Sequence, residues 1–159
     1  MSIVLYRVDE RLIHGQVVLG WGRRLRPDRY LVVDDALADS DWEQDLYRLT
    51  VDGSAEVEFL TVDEGRQRLP EYRDDDRRTV LLTRDVDHMR RLAVGGLLAG
   101  EEVNLGGIHH RPGRIQVRSY IYLDEAERAE LRALAEEGVT ITGRDLPETH
   151  RVPLEAILG

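Results

Sequence analysis

The chain has 159 residues, of which 42% are apolar and 33% are charged, and this composition is typical of a single globular domain covering residues 1–159. Its formal net charge of −9 argues against a general nucleic-acid binder, which needs a positive surface. The chain has neither cysteine nor lysine, since all 22 basic residues are arginine, and this excludes disulfides, thiolate metal sites, a Walker A loop and a Schiff-base enzyme.

Seven short, mostly apolar segments predict β-strands. They are Ile3–Val8, Tyr30–Val33, Glu56–Leu60, Thr79–Thr83, Glu102–Leu105, Ser119–Leu123 and Val139–Thr142. No apolar run approaches the ~20 residues of a membrane span. The N-terminus also lacks the features of a signal peptide, so a cytoplasmic protein is expected.

Helical patterns separate most of these strands. The first helix is predicted over Gly15–Leu25, and the second follows Ser40 with an apolar stripe at Trp42, Leu46 and Leu49. The remaining helices are predicted from Thr61 to Pro70, around Met89–Ala93, after Asp124 and in the C-terminal segment PLEAIL. This alternation predicts an α/β fold with an open, mainly parallel sheet and helices on both faces.

One histidine, His14, follows the first predicted strand, at or just before a helix. In open α/β sheets ligands bind at the carboxyl ends of the strands, and a helix N-terminus favours an anion there. Gly15 removes side-chain bulk beside the imidazole, and the Arg11 guanidinium suits phosphate oxygens. These features suit a histidine that accepts a phosphoryl group, although a histidine that only caps the helix fits this stretch equally well.

Other phosphate or metal chemistry has weaker support. Gly20 and Gly22 fall inside the predicted helix and do not complete a dinucleotide-binding fingerprint. A receiver domain needs a lysine that this chain lacks. Candidate metal ligands exist (Asp9, Glu10, His14, Asp34, Asp35, His109 and His110), but no HxxxH or HxH spacing joins them, so we predict no metal site and no cofactor.

Several segments together carry a family resemblance. They are RVDERLIHGQV, GWGRRLRPDRYLVVDDALA, VNLGGIHHRPGRIQV and LDEAERAELRALAEEGVTITGRDLP. The chain resembles, essentially end to end, the IIB component of the mannose/sorbose-type sugar phosphotransferase system. Glu10 stands where that family commonly has aspartate, and the paired histidines of the third segment also depart from its pattern.

The resemblance implies a phosphocarrier. His14 would take a phosphoryl group on Nδ1 from a phosphohistidine of a IIA partner, and pass it to a sugar held by the membrane IIC/IID components. Arg11 would neutralise the phosphoryl oxygens. The protein would be cytoplasmic and peripherally associated with the permease, and a homodimer is left open. The alternatives are a regulatory phosphoprotein that transfers nothing to sugar, and a small binding module with a structural histidine.

Other residues of the candidate site carry paired expectations. Asp9 orients Arg11 or hydrogen-bonds the imidazole, or else caps the loop. Gln16, in the first helical turn, donates to a phosphoryl oxygen or faces solvent. Asp34 and Asp35 end the second strand, where one of them supports the histidine loop or caps a turn.

One further stretch is both basic and rich in histidine. His109 and His110 are expected in a polar loop, which together with Arg111, Arg114 and Arg118 forms the one locally basic stretch and suits an acidic partner.

Arg144 follows the last predicted strand, at the same sheet edge as His14. Its guanidinium is expected to clamp the phosphoryl group, as the family resemblance also implies, and the alternative is a surface pair with Asp145.

Overall fold

A computed structural model describes residues 2–159 and contains two β-sheets. The strands are β1 (Ile3–Asp9), β2 (Arg29–Val33), β3 (Glu56–Leu60), β4 (Thr79–Thr83), β5 (Glu102–Gly107), β6 (Ile115–Arg118), β7 (Ile121–Leu123), β8 (Thr140–Gly143) and β9 (Val152–Pro153). The main sheet has seven strands in the order β3-β2-β4-β1-β5-β8-β9, and β6 pairs with β7 in a separate hairpin.

The helices lie on both faces of the main sheet. A π-helix (Gln16–Trp21) continues into α1 (Gly22–Leu25), and the others are α2 (Asp41–Val51), α3 (Val62–Asp74), α4 (Val86–Ala93), α5 (Glu125–Glu136) and α6 (Leu154–Leu158). Short 3₁₀ turns cover Leu37–Asp39 and Val94–Gly96. No helix among the described residues has both the length and the apolar character needed to cross a membrane.

Six of the seven strands in the main sheet are parallel, and only β9 runs antiparallel to its neighbour β8. The chain leaves β1 toward the β2 side of the sheet, whereas it leaves β5 toward the β8 side. The carboxyl ends of β1 and β5 therefore flank the point where the connections change direction, which is where open sheets bind ligands. This architecture confirms the predicted α/β fold class.

Two apolar clusters fill the space between the sheet and its helices. One contains residues of α3, α4 and α5, such as Leu69, Met89 and Leu131, together with alternate residues of the central strands. The other contains Leu12 and Val17 of the π-helix region with the opposite-facing residues of β2 and β4. Successive side chains of a strand point to opposite faces of the sheet, so β2 and β4 each contribute residues to both clusters.

The prediction that Pro70 ends the third helix is wrong, because α3 continues through it to Asp74. Proline removes one helical hydrogen bond, so its presence inside a helix is costly. Leu69 and Tyr72, on either side of Pro70, are both buried in the first cluster. The packing of this face keeps the chain helical beyond the proline.

The strand predicted at Ser119–Leu123 does not join the main sheet. Its last three residues form β7, which pairs antiparallel with β6, a strand that the sequence did not indicate. The prediction of an extended chain is confirmed for Ile121–Leu123, but an apolar pattern does not specify which sheet a short strand joins.

The stripe of Trp42, Leu46 and Leu49 on α2 is exposed, although apolar side chains at this spacing normally face a core. The opposite face of α2 packs instead, through Val51 and the partly buried Tyr47. Ser40 and Glu43 hydrogen-bond through their side chains, without the backbone bonds of a capping box.

Candidate functional site

The loop after β1 carries His14 at the carboxyl edge of the sheet. Glu10 N–H donates to the carbonyl of Gly107 at the end of β5, over 2.9 Å, and this ties the loop to the neighbouring strand. Leu12 has a φ of 56°, unusual for a leucine, and its side chain is fully buried. Packing of Leu12 in the core thus fixes a strained turn between Arg11 and His14.

His14 is held by Asp9. The His14 Nε2 lies 2.9 Å from Asp9 Oδ2, and the Asp9 side chain is fully buried. Burial alone would raise the pKa of Asp9, but the hydrogen bond from His14 and the charge of Arg7 outweigh it and lower the pKa to about 2. Asp9 is therefore an ionised acceptor at neutral pH, so the proton of this hydrogen bond belongs to Nε2 of His14.

Arg7, also on β1, is the centre of the network beneath the loop. Its guanidinium donates to Asp9 Oδ2 at 3.0 Å and to Asn104 Oδ1 at 2.7 Å. It also donates to the carbonyls of Arg144 and Asp145, each at 3.1 Å. Burial lowers the pKa of Arg7 and the Asp9 carboxylate opposes that effect. Arg7 thus joins β1, β5 and the segment that follows β8 at one point.

Arg11 points outward beside His14. Its backbone N–H donates to Asp9 Oδ1 at 3.0 Å, and its side chain, 41% exposed, donates through Nη2 to Gln16 Oε1 at 2.9 Å. Gln16 therefore uses its carbonyl oxygen to orient Arg11. Within residues 2–159, Nη1 of Arg11 has no hydrogen-bond acceptor, so this part of the guanidinium is open to a ligand.

Glu10 and Arg114 connect the histidine loop to the loop after β5. Arg114 is buried and donates to Glu10 Oε2 at 2.7 Å and to Glu127 Oε2 at 2.6 Å. Glu10 Oε1 accepts from the backbone N–H of His109 at 2.7 Å. Arg114 is thus occupied inside the protein and does not belong to the basic docking stretch that the sequence suggested.

The two adjacent histidines are separated in role. His109 Nδ1 lies 3.3 Å from Glu10 Oε1, beside the histidine loop, while His110 packs edge-on against the Tyr122 ring with centroids 5.7 Å apart. The structure does not bring the imidazole of either into contact with His14.

Arg144 follows β8, as predicted, and its carbonyl is one of the groups that hold Arg7. Its guanidinium lies over the Trp21 ring, 5.8 Å from the centroid, and Nε donates to the carbonyl of Thr149 at 3.0 Å. The predicted alternative, a side-chain pair with Asp145, is not the arrangement present. Whether the guanidinium contacts a phosphoryl group stays a prediction.

Asp34 and Asp35 connect elements on the β2 side of the site. Asp34 accepts from the N–H of Leu37 at 2.9 Å and from Arg84 at 2.6 Å. Asp35 accepts from the N–H of Val62 at 2.9 Å and from Arg91 at 2.7 Å. In the described chain neither carboxylate hydrogen-bonds to the histidine loop.

Three other potential metal ligands lie close together at the start of α4. Ligand atoms of Asp85, Asp87 and His88 lie within 4.8 Å of one another. Two internal contacts already occupy them: His88 Nδ1 lies 2.7 Å from Asp85, and Asp87 accepts from Arg90 at 2.8 Å. The expectation of no metal site stays a prediction.

Arg7 and Asn104 were not predicted from the sequence, and the role predicted for Arg114 was wrong. An arginine inside the apolar segment IVLYRVD, two residues before Asp9, places both charged side chains on one face of a strand, and this spacing was the available signal for Arg7. Asn104, in the middle of a predicted apolar strand, was a similar signal. Arg114 gave no comparable signal, since it lies in a loop rich in arginine.

Gly106 should be irreplaceable, because a Cβ at this position would overlap the Arg7 guanidinium. We expect Gly106→Ala to lower the free energy of unfolding by about 3 kcal/mol, measured by urea denaturation, through displacement of a buried charge. Gly15→Ala is the matched control, since its Cβ would meet nothing within 4 Å and should change stability by less than about 0.5 kcal/mol. Equal effects of the two variants on stability would contradict the close packing of the Arg7 guanidinium against Gly106.

The low pKa of Asp9 also predicts a pH dependence. Its pKa is about 2 in the folded protein against an ordinary value of 3.8, so its stabilising contribution is complete above pH ~4 and is lost as the pH falls through about 2. The loss should amount to about 2 kcal/mol. We expect the stability gap between wild type and Asp9→Asn, measured by chemical denaturation, to shrink by that amount between pH 6 and pH 2. A constant gap would show that Asp9 is not held in this way.

Comparisons with known proteins identify the family of this chain. The family model described as PTS system sorbose subfamily IIB component matches residues 3–159. The N-acetylgalactosamine-specific phosphotransferase enzyme IIB component 1 of Escherichia coli (strain K12) is 29% identical over 147 residues, covering 92% of each chain. The mannose-specific EIIAB component of the same strain is 31% identical over 148 residues, which cover 91% of this chain and 44% of that protein.

A solved structure shows the same fold. The IIBSor domain of the sorbose permease from Klebsiella pneumoniae superposes with a TM-score of 0.86 at 25% identity, covering 99% of this chain and 96% of that one. The family match spans nearly the whole chain, from the start of β1 to the C-terminus, and includes the histidine loop. This chain therefore belongs to the sorbose subfamily of IIB components of the phosphotransferase system, a family of sugar phosphotransferase components.

Proposed function

We propose that residues 1–159 act as one cytoplasmic phosphocarrier domain. His14 accepts a phosphoryl group on Nδ1 from a phosphohistidine of a IIA partner. It then passes the group to a sugar bound by membrane IIC/IID components. The observation that carries this proposal is the 2.9 Å contact between His14 Nε2 and the buried carboxylate of Asp9.

That contact selects the nucleophilic atom. Since Asp9 is ionised and only accepts, the proton of a neutral His14 lies on Nε2 and the lone pair lies on Nδ1. The imidazole is only 16% exposed, and its hydrogen bond to Asp9 fixes the ring orientation. The ring therefore needs no reorientation before Nδ1 attacks phosphorus.

The reaction balances without a cofactor. Nδ1 of His14 forms a bond to phosphorus while the phosphorus–nitrogen bond of the donor breaks, and the donor imidazole leaves with that electron pair. His14 becomes a phosphoimidazolium whose Nε2 proton is held by Asp9, which stabilises the positive ring. In the second step a sugar hydroxyl oxygen forms a bond to phosphorus and its proton passes to solvent. The P–Nδ1 bond breaks with its electron pair going to Nδ1, which returns His14 to the neutral form with its proton on Nε2.

Positive groups around His14 would share the charge of the phosphoryl oxygens. Arg11 offers its free Nη1. At the helix start the N–H groups of Val17 and Val18 already donate to the carbonyl of His14, each at 3.0 Å, so this end offers a phosphoryl oxygen only the N–H groups that precede Val17. Gly15 keeps this helix start free of a side chain. Arg144 would have to leave Thr149 to contact the phosphoryl group, so its part depends on a movement of that side chain.

The name of one relative supports a IIA domain as the phosphoryl donor. The mannose-specific EIIAB component carries, by its name, A and B parts in one protein, which favours a IIA donor for this chain. A IIB component that feeds a permease would associate peripherally with the cytoplasmic side of the membrane.

Phosphorylation of His14 can be tested directly by mass spectrometry. After incubation with phosphoenolpyruvate, the general phosphotransferase proteins and a IIA domain, the wild type should gain one acid-labile phosphoryl group and His14→Ala none. The double variant His109→Ala with His110→Ala is the control and should be labelled like the wild type. Full labelling of His14→Ala would overturn the proposal, and stable labelling that never transfers to sugar would favour a regulatory phosphoprotein.

Arg144→Ala should slow transfer to or from His14 by about tenfold or more, because one charge stabilising the transferring oxygens is removed. Arg144→Lys should recover only part of the rate, since lysine lacks the planar fork of arginine. Transfer is measured in a rapid-quench assay, with circular dichroism to check the fold. Wild-type kinetics in Arg144→Ala would leave Arg11 and the helix start as the phosphate ligands.

A further inference from the structure

The exposed apolar stripe of α2, formed by Trp42, Leu46 and Leu49, has no partner within the described chain. These side chains are 68%, 54% and 73% exposed, and their i, i+4, i+7 spacing places them on one side of the helix. Single apolar side chains are common on protein surfaces, whereas a contiguous group of large ones marks an interaction site. Tryptophan in particular is enriched among residues that contribute most to protein interfaces.

Acidic residues border the α2 stripe. Asp41 and Asp45 are exposed on the same helix, one turn apart, and Asp39 and Asp52 flank its two ends. The one basic residue of α2, Arg48, lies 3.6 Å from Asp45 and over the Phe59 ring, so its charge is partly balanced. A partner that complements this surface must therefore be both apolar and basic.

This charge argues against direct binding to lipid. The cytoplasmic leaflet of a membrane is negatively charged and attracts basic segments, whereas an acidic helix is repelled from it. Cytoplasmic loops of membrane proteins, in contrast, carry an excess of lysine and arginine. The chemistry of the stripe thus fits a protein segment at the membrane surface.

The position of α2 suits a partner that must also reach His14. β2 ends at the carboxyl edge of the sheet, and one short turn, capped by Asp34 at Leu37, leads into α2. Trp42 in the first turn therefore lies toward the edge that carries His14, and Leu49 lies about 10 Å farther along the helix axis. A partner on the stripe can place a second part of its surface over the histidine loop.

We propose that the α2 stripe is the docking surface for a basic, apolar cytoplasmic segment of the membrane permease. This inference rests on the proposed function, since it assumes that the acceptor is the IIC/IID component. In this arrangement both partners contact the histidine loop with its His14. Only the permease also contacts the distal part of α2.

The test compares Trp42→Ala combined with Leu46→Ala against a matched control, Val94→Ala combined with Ile115→Ala. All four side chains are exposed large apolar groups, so both variants should keep the wild-type melting temperature. Binding is measured by co-sedimentation with inside-out vesicles that contain mannose-type IIC and IID components from the same organism, and with matched vesicles that lack them.

The stripe variant should bind the permease vesicles at least tenfold more weakly than the control, and salt should weaken wild-type binding. Its KM as a phosphodonor in sugar phosphorylation should rise by a similar factor, while the rate of His14 labelling by IIA stays unchanged. Equal binding by the two variants would overturn the inference. Equal wild-type binding to vesicles without permease would also overturn it and would assign the stripe to lipid. Slower labelling of the stripe variant by IIA would assign the stripe to IIA. A change of its oligomeric state in analytical ultracentrifugation would assign the stripe to a second copy of the chain.

Co-sedimentation needs no phosphoryl group, which keeps the two proposals separate. Absence of His14 labelling in wild type would refute the phosphocarrier proposal while leaving the docking result readable. Conversely, normal labelling and transfer with equal binding of both variants would refute only the docking surface.

Discussion

The buried ion pair between Arg7 and Asp9 is the interaction on which the arrangement of the site depends. Burying two charges is costly, and hydrogen bonds to both partners offset part of that cost. Here Asn104 and the carbonyls after β8 accept from Arg7, while Asp9 also accepts from the histidine loop. These hydrogen bonds form together when β1, β5, the segment after β8 and the histidine loop are all in place. The same contacts that stabilise the charges therefore align the site.

The histidine loop shows how local strain is balanced by packing. Leu12 adopts a left-handed backbone, which disfavours a leucine, and its side chain is fully buried in the cluster beneath the π-helix. Burying a leucine contributes about 2 kcal/mol, enough to offset strain of this kind. The turn brings the imidazole back over Asp9, five residues earlier in the chain. An exposed side chain at position 12 would leave the turn without this support.

Much of the fold and the centre of the site followed from the sequence, because both are expressed in local patterns. Apolar strands alternating with helices indicated the parallel sheet, and strand-then-helix order placed His14 at its carboxyl edge. Pro70 and β7 were misjudged because tertiary packing decides them. The exposure of the α2 stripe did not follow from the sequence, because periodicity shows that a face is apolar without showing what covers it. Arg7 was not predicted, although its place in an apolar strand two residues before Asp9 is a signal for a buried charge.

The charge of the network around Asp9 has a consequence for the order in which partners bind. Arg7 and Arg11 carry two positive charges, Asp9 carries one negative charge, and with a neutral His14 the sum is +1. A phosphoryl group adds about −1.5 to −2, and a protonated ring returns +1, so the local sum falls to near zero. Under the proposed function, the unloaded loop would attract the anionic donor group, and loading would remove that attraction. Phosphorylation itself would then release the donor protein and free the same surface for the acceptor, with no change in backbone conformation.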